Sequence, residues 1–130
     1  MVIIIDDDEM TAETVSLNLS DDDIDNRFFL TPGEALEALS EDKDHAIHCV
    51  LTDLHMGSFN GLDVLERVHE IRPDVHKILM TGIIPESEKQ RAEKYTDLVL
   101  LKPLEFPELS ETIQELVQDP SAGNAANASS

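Results

Sequence analysis

The segment Cys49-Val-Leu-Thr-Asp53-Leu-His-Met-Gly-Ser-Phe-Asn-Gly61 is an apolar run that ends in one carboxylate and then becomes a loop. The run before Asp53 predicts a buried strand. Gly, Ser and Asn in the second half are turn formers, and an amphipathic helix from about Leu62 to Ile71 follows. Ligands of open parallel α/β sheets bind at the carboxyl ends of strands. Asp53 is therefore the first candidate for a functional side chain.

Strand and helix patterns alternate along the rest of the chain. Val2-Ile-Ile-Ile5 is β-branched throughout, which is typical of a parallel strand buried on both faces. Five strands separated by five helices predict right-handed crossovers and a parallel sheet with helices on both faces. The other strands are predicted at Arg27–Leu30, Ile47–Leu51, Lys77–Met80 and Leu98–Leu101.

Two helices have distinctive sequences. Thr31-Pro32-Gly33-Glu34 predicts a helix start, with Thr31 as N-cap, Pro32 at the first position and Glu34 closing a capping box. The helical segment from Glu86 to Lys94 has almost no apolar residue besides Ala92. We expect that second helix to be loosely packed.

Length and charge limit the classes of function. The chain has 130 residues, and its 9 basic against 28 acidic residues give a formal net charge of −19. This excess argues against direct binding to nucleic acid or to a membrane surface, although solvation in high salt is an alternative reason for it. Residues 1–118 are predicted to form one domain. Residues 119–130, rich in Ser, Asn, Gly and Ala, are predicted to form a disordered tail or linker.

Cysteine usage and hydropathy indicate the compartment. The single cysteine, Cys49, excludes an internal disulfide and fits a reducing environment. No segment approaches the roughly 20 apolar residues of a membrane span. The chain is therefore expected to be soluble and cytoplasmic.

Four predicted strands end in polar residues that suit one kind of chemistry. Asp6 and Asp7 follow the first strand, and Asp53, Thr81 and Lys102 end or follow three later ones. The carboxyl ends of parallel strands meet at one edge of a sheet. Carboxylates, a hydroxyl and an ammonium at that edge indicate a site for Mg²⁺ and a phosphoryl group.

This set of strand ends resembles the receiver domain of two-component response regulators, of the chemotaxis-regulator type, over residues 1–118. The resemblance implies a flavodoxin-like, doubly wound (βα)5 sandwich whose five-stranded parallel sheet has the order 2-1-3-4-5. The matching motifs are Ile5-Asp6-Asp7, Leu51-Thr-Asp53, Met56 with Asn60-Gly61, Thr81-Gly82 and Lys102-Pro103.

The resemblance also implies residue roles in phosphorylation. Asp53 is expected to accept the phosphoryl group, Thr81 to hydrogen-bond a phosphoryl oxygen, and Lys102 to pair with the group. The peptide bond between Lys102 and Pro103 is expected to be cis, as is usual in the family.

The metal expected from the resemblance is Mg²⁺, a cation that prefers oxygen ligands. A shift of one residue in the first strand would make Asp8 a ligand in place of Asp6 or Asp7. The expected ligands are the carboxylates of Asp6, Asp7 and Asp53 and the main-chain carbonyl of His55.

The partners implied are a histidine kinase or a phosphotransfer protein as phosphodonor. The output would pass to a partner protein or to an effector domain missing from this chain, and the family allows homodimerisation on phosphorylation. Such a domain is a regulatory binding module rather than an enzyme, because its only reactions are its own phosphorylation and dephosphorylation.

Three positions depart from the family pattern. Gly57 replaces the usual proline and Asn60 replaces an acid before Gly61, and both changes are expected to loosen this loop. Val99 stands where the family has a signalling aromatic residue. A switch that couples a threonine to a ring is therefore not expected.

Two alternatives stay open. The Asp-x-Asp pattern of Asp6 and Asp8 after a β-branched strand also fits a haloacid-dehalogenase-like phosphatase, although the chain leaves no room for a cap domain. The other alternative is a degenerate receiver that acts only as a docking or dimerisation module.

Overall fold

The structure is a computed structural model that describes residues 1–118. A five-stranded parallel sheet forms the centre of the protein. Neighbouring strands lie in the order β2-β1-β3-β4-β5, and every pair runs parallel. The implied strand order and the flavodoxin-like doubly wound fold are thus confirmed. The tail predicted at 119–130 lies outside the described residues. The strands are β1 (Val2–Ile5), β2 (Asn26–Phe29), β3 (Cys49–Asp53), β4 (His76–Thr81) and β5 (Leu98–Leu101).

Helices cover both faces of the sheet because a strand sends alternate side chains to opposite faces. Ile4 and Leu51 belong to one apolar cluster, formed with α1 and α5. Ile3 and Val50 belong to the other, formed with α2, α3 and α4. The helices are α1 (Glu9–Asp21), α2 (Pro32–Ser40), α3 (Gly61–Ile71), α4 (Lys89–Tyr95) and α5 (Phe106–Gln118).

Burial along the strands follows their position in the sheet. Every residue of β1 and β3 is buried, because both strands have neighbours on either side and helices on both faces. The edge strand β5 is only partly buried. None of the helices in residues 1–118 combines the length and the apolar composition that a bilayer crossing needs.

The N-terminus of α2 differs from its predicted capping pattern. Thr31 occupies the N-cap position and Pro32 the first turn, both as expected, but the Thr31 side chain makes no capping hydrogen bond. The predicted capping box is therefore wrong. Proline fixes φ near its helical value, so the helix entry is set by Pro32 without the threonine hydroxyl.

The segment before β5 is the least buried helical part of the fold. Residues Glu86–Glu88 form a single 3₁₀ turn, and α4 continues to Tyr95. Ala92 is the only buried side chain that α4 contributes among the described residues. The expectation of a helix with little apolar packing is confirmed.

Candidate functional site

The carboxyl edge of the sheet brings four polar side chains together. Asp6 follows β1, Asp53 ends β3, Thr81 ends β4 and Lys102 follows β5. Asp6 and Thr81 are 1% exposed, and Asp53 is 9% exposed. Buried polar groups need hydrogen-bond or ionic partners, so the contacts of these four side chains indicate which ligand the sheet edge could bind.

Asp53 and Lys102 form the central contact of this edge. Lys102 Nζ lies 3.0 Å from Asp53 Oδ2 and donates a hydrogen bond to it. The Lys102 main-chain N–H donates to the carbonyl oxygen of Thr81 at 2.9 Å, which joins the residue to the end of β4. The Lys102–Pro103 peptide bond is cis, as the resemblance implies. The edge therefore holds a carboxylate beside a fixed cation.

Asp6 is a buried carboxylate with one unsatisfied oxygen. Its Oδ1 accepts a 3.0 Å hydrogen bond from the Asp8 N–H, whereas its Oδ2 is buried without a hydrogen-bond partner in the described part of the chain. The nearest cation is Lys102 Nζ, 4.0 Å from that oxygen. Burial raises the pKa of Asp6, and the negative charge of Asp53 adds to the effect. A cation bound at Asp6 Oδ2 would compensate both the burial of this carboxylate and its repulsion by Asp53.

Asp7 is exposed and lies beside a short hairpin that follows Asp53. The hairpin pairs His55–Met56 with Phe59–Asn60, and a Cβ atom at Gly57 would lie 3.5 Å from Asp7 Oδ2. The side chain of His55 is exposed. The Asp7 carboxylate and the main chain of the hairpin, which includes His55, therefore lie on the same side of the sheet edge.

Gly57 and Asn60 each have a defined place in the hairpin, and the expectation that they loosen this loop stays a prediction. Gly57 has φ +58°, which a proline with φ near −65° cannot adopt. Asn60 Oδ1 accepts a 2.8 Å hydrogen bond from the Leu62 N–H and so caps α3. The departures from the family pattern thus give this loop its own turn.

Gly61 is required where the same loop returns to the strand. Its N–H donates a 2.7 Å hydrogen bond to the Leu54 carbonyl oxygen, and a Cβ atom at position 61 would overlap the main-chain carbonyl of Asp53. Thr52 Oγ1 donates to that same carbonyl at 3.1 Å. Nothing in the sequence indicated that Thr52 makes this contact, because a threonine in a strand is ordinary.

Asp8 has a structural role that its sequence position could have indicated. Its Oδ1 accepts from the Met10 N–H at 3.2 Å, and its Oδ2 accepts from Thr11 Oγ1 at 2.7 Å. Asp8 is therefore the N-cap of α1, a position that favours aspartate. Both of its oxygens are engaged, which weakens the alternative in which Asp8 replaces Asp6 as a ligand.

The Thr81 side chain is hydrogen-bonded within its own loop and not to the other predicted site residues. Its hydroxyl donates a 2.7 Å hydrogen bond to the Ile83 carbonyl oxygen and accepts a 3.3 Å bond from the Ile83 N–H. The structure therefore joins Asp6, Asp53 and Lys102, while the Thr81 hydroxyl is bound to its own loop.

The expected metal ligands are close to the same edge but do not form a finished cage. In residues 1–118, no three His, Cys, Asp or Glu side chains are arranged to hold a metal ion. Mg²⁺ needs no such cage, because it keeps several waters and takes one or two carboxylates plus a phosphate oxygen. The unsatisfied Oδ2 of Asp6, with Asp7 and Asp53 nearby, fits this requirement.

Comparisons with known proteins agree with this geometry. Residues 2–114 match the family model of the response regulator receiver domain. A putative transcriptional regulator of Haloferax volcanii is 31% identical over 117 residues, which are 90% of this chain and 19% of that protein. The chain thus spans only a minor part of the length of that relative.

Two solved structures have the same fold. A CheY-like response regulator receiver domain protein of Methanospirillum hungatei matches with a TM-score of 0.82 at 24% identity, over 90% of this chain and 92% of that one. A response regulator of Burkholderia pseudomallei, solved with a phosphorylated aspartic acid, calcium and citrate, has a TM-score of 0.76 at 24% identity, over 99% of this chain and 72% of that one. Because the family match extends over nearly all the described residues, the chain belongs to the response regulator receiver domain family.

Proposed function

We propose that Asp53 accepts a phosphoryl group from a phosphohistidine of a histidine kinase or phosphotransfer protein, in a reaction that depends on Mg²⁺. The observation that supports this most is the 3.0 Å contact between Lys102 Nζ and Asp53 Oδ2, beside the unsatisfied oxygen of Asp6. A carboxylate nucleophile next to a fixed cation is suited to forming an acyl phosphate.

The proposed transfer is a displacement at phosphorus. One carboxylate oxygen of Asp53 forms the new O–P bond while the P–N bond of the donor breaks, and the donor imidazole leaves with the bonding electron pair. Lys102 stabilises the negative charge of the phosphoryl oxygens. Water later attacks the acyl phosphate, releases inorganic phosphate and restores the carboxylate.

Mg²⁺ would neutralise the charge of the incoming phosphoryl group and so remove its repulsion by the neighbouring acids. Its ligands in this proposal are the carboxylates of Asp6, Asp7 and Asp53 and the main-chain carbonyl of His55. The phosphorylated aspartic acid and the calcium ion in the B. pseudomallei protein are consistent with such a site on this fold.

Thr81 would report phosphorylation to the adjacent loop. A hydroxyl has one proton, so it cannot donate to Ile83 and to a phosphoryl oxygen at the same time. Exchange of the 2.7 Å bond to Ile83 for a bond to the phosphoryl group would change the segment that leads into α4. Val99 is partly buried against the core beside α4, and it has no aromatic ring to take part.

The output is proposed to pass through protein contacts, either to a separate partner or to an effector domain, in the cytoplasm. The Haloferax volcanii relative is described as a putative transcriptional regulator. With a net charge of −19, the present chain has little basic surface for DNA. Any effect on transcription would therefore act through another domain or protein, and homodimerisation on phosphorylation is one route.

The two alternative functions have less support. A phosphatase with an Asp-x-Asp pair would need Asp8 free for proton transfer, but Asp8 caps α1 through both oxygens. Lys102 and Asp53 are in contact, as phosphorylation requires, which gives the degenerate receiver less support.

Intact-mass measurement with acetyl phosphate tests the proposal. The wild-type protein should gain the mass of one phosphoryl group in Mg²⁺ and none in excess chelator. Asp53→Asn should gain none, whereas Asp21→Asn, a matched change of an exposed acid on α1, should react like the wild type. Full labelling of Asp53→Asn would exclude Asp53 as the acceptor.

A further inference from the structure

Helix α4 contributes little apolar packing to the fold: Ala92 belongs to the core, and Tyr95 is partly buried against it. Its seven residues, Lys89–Tyr95, contribute one buried side chain, Ala92. Alanine buries little apolar surface, and apolar burial is the usual source of helix docking energy. Another interaction must therefore fix α4 in place.

Arg91 supplies that interaction from the middle of α4. Its Nη2 donates to Asp63 Oδ1 and, at 3.0 Å, to Glu66 Oε2, both on α3. Its Nη1 lies 3.6 Å from Glu88 Oε2 in the preceding 3₁₀ turn. The hydrogen bond that Arg91 donates to the Asp63 carboxylate is the largest of the effects that raise the pKa of Arg91, so the guanidinium stays charged. Tyr95 adds a 3.3 Å hydrogen bond from its hydroxyl to Glu66 Oε1.

The contact of Arg91 with α3 is unlike the other ion pairs of this chain. Arg67 pairs with Glu70 within α3, and Lys89 pairs with Glu86 one turn away. Arg72 joins loops rather than helices. Within residues 1–118, Arg91 is the only basic residue whose ion pairs connect two helices.

We propose that Arg91, Asp63 and Glu66 form an ionic latch that sets how often α4 separates from α3. The side chains are partly exposed, at 29%, 66% and 41%, so dissolved salt reaches them. The screening length falls from about 10 Å at 0.1 M salt to about 3 Å at 1 M. The latch therefore weakens as salt rises, and α4 opens more often.

The latch would also regulate signalling, and this part rests on the proposed function. The loop altered by Thr81 ends in the 3₁₀ turn that holds Glu88, so a shift of the loop moves one of the acids paired with Arg91. A phosphoryl signal would thus act on Arg91 through Glu88, which lies beside the latch, and salt would set how much of α4 is already open before the signal. Weakly docked elements are the ones that respond in this way.

The chain contains its own reporter of the latch. Tyr95 is its single tyrosine, and the chain has no tryptophan. The hydroxyl contact of Tyr95 with Glu66 ends when α4 leaves α3, so the tyrosine emission changes on opening. Amide exchange of residues 89–95 gives a second, independent readout.

The experiment measures both readouts on the full chain between 0.1 and 1 M NaCl. Arg91→Gln should raise the opening constant of α4 about twofold to fivefold at low salt and should abolish most of its salt dependence. Arg67→Gln, which removes an arginine ion pair within α3 alone, should match the wild type. Salt should increase α4 opening even though it screens the repulsion among the excess acids, which raises global stability.

A double-mutant cycle keeps the test decisive if one variant folds poorly. Asp63→Asn should have an effect in the same direction but smaller than that of Arg91→Gln, because the contact with Glu66 remains, and the double variant should differ little from Arg91→Gln. Equal α4 exchange in Arg91→Gln and wild type, or additive effects in the cycle, would overturn the latch. Intact mass after acetyl phosphate separates the two proposals, because Arg91→Gln should still gain one phosphoryl group. A wild-type protein that is never phosphorylated would refute the proposed function but leave the salt result as the test of the latch.

Discussion

Thr81 and Ile83 form a closed turn: the Thr81 hydroxyl donates to the Ile83 carbonyl oxygen at 2.7 Å and accepts from the Ile83 N–H at 3.3 Å. The hydroxyl is buried, whereas the Ile83 side chain is 72% exposed. The turn therefore connects the interior of the site to a surface loop, and it must open for Thr81 to reach a phosphoryl oxygen.

Thr81→Val should separate phosphorylation from signalling. The valine keeps the shape of the side chain but removes the hydroxyl, so the loop at 82–85 loses a hydrogen bond that contributes about 0.5–1.5 kcal/mol. Amide exchange at 82–85 should rise in the unphosphorylated variant, and acetyl phosphate should no longer change exchange in 82–96. Thr81→Ser retains the hydroxyl and is the control. A normal phosphorylation response in Thr81→Val would exclude Thr81 as the link.

Arg72 should be the most sensitive charged residue outside the site. It is 7% exposed and donates to Asp42 Oδ2 at 2.8 Å, to Asp74 Oδ1 at 3.0 Å and to the Ile47 carbonyl oxygen at 3.2 Å. Arg72→Met would leave the partly buried Asp42 without its cation, at a cost of about 3 kcal/mol. Urea unfolding measures this cost.

The control for Arg72→Met is Arg67→Met. Arg67 is 61% exposed and pairs only with Glu70 one turn away, and such pairs contribute at most about 1 kcal/mol. Similar losses of unfolding free energy in the two variants would show that burial of Arg72 is not what makes its contacts important.

The lowered pKa of Asp74 predicts that the folded protein loses stability in acid. The hydrogen bonds from Arg72 lower the pKa of Asp74 to about 2, below the unfolded value of about 3.9. The folded state therefore favours the charged form, and this contribution is complete above about pH 4 and is lost as the pH falls through about 2. Asp74 is half exposed, so screening keeps the contribution below about 1 kcal/mol.

Thermal unfolding of Asp74→Asn against pH tests that sign. The melting temperature should lie a few degrees below that of the wild type at neutral pH, and the gap should close between about pH 4 and pH 2. A gap that widens in acid would contradict the role of the charged carboxylate.

Substitutions of Asp6 and Asp7 should have different effects on the stability of the protein but the same effect on metal binding. Asp6 is 1% exposed with an unsatisfied oxygen, so Asp6→Asn should remove a buried charge and raise the unfolding free energy by about 1 kcal/mol. Asp7 is exposed, so Asp7→Asn should change it by less than about 0.5 kcal/mol. Both variants should bind Mg²⁺ more weakly than the wild type, as measured by isothermal titration calorimetry. Unchanged affinity in either variant would remove that residue from the ligand set.

The sequence predicted the parts of the fold that depend on local pattern. β-branched and apolar runs located the strands, and the polar residues after them located Asp6, Asp53 and Lys102 at one edge. The strand order came from the resemblance, because apolar runs do not record which strands are neighbours.

Contacts between distant residues could not be predicted in this way. Arg91 meets Asp63 and Glu66 across 28 and 25 positions, and no spacing in the sequence indicates such a meeting. The direction of the Thr81 hydroxyl depends on a side-chain rotation that the residue type leaves open. The failed capping box at Thr31 has the same origin, since a motif states which hydrogen bond is available and not whether it forms.

Reduction of the phosphorylated protein with borohydride identifies the residue that accepts the phosphoryl group. Borohydride converts an acyl phosphate of aspartate into homoserine, so peptide mass mapping after treatment with acetyl phosphate identifies the residue that held the phosphoryl group. We expect homoserine at position 53 alone, in samples with Mg²⁺ and not in samples with chelator. Homoserine at position 6 or 7, or conversion of residue 53 that is unaffected by chelation of Mg²⁺, would contradict this expectation.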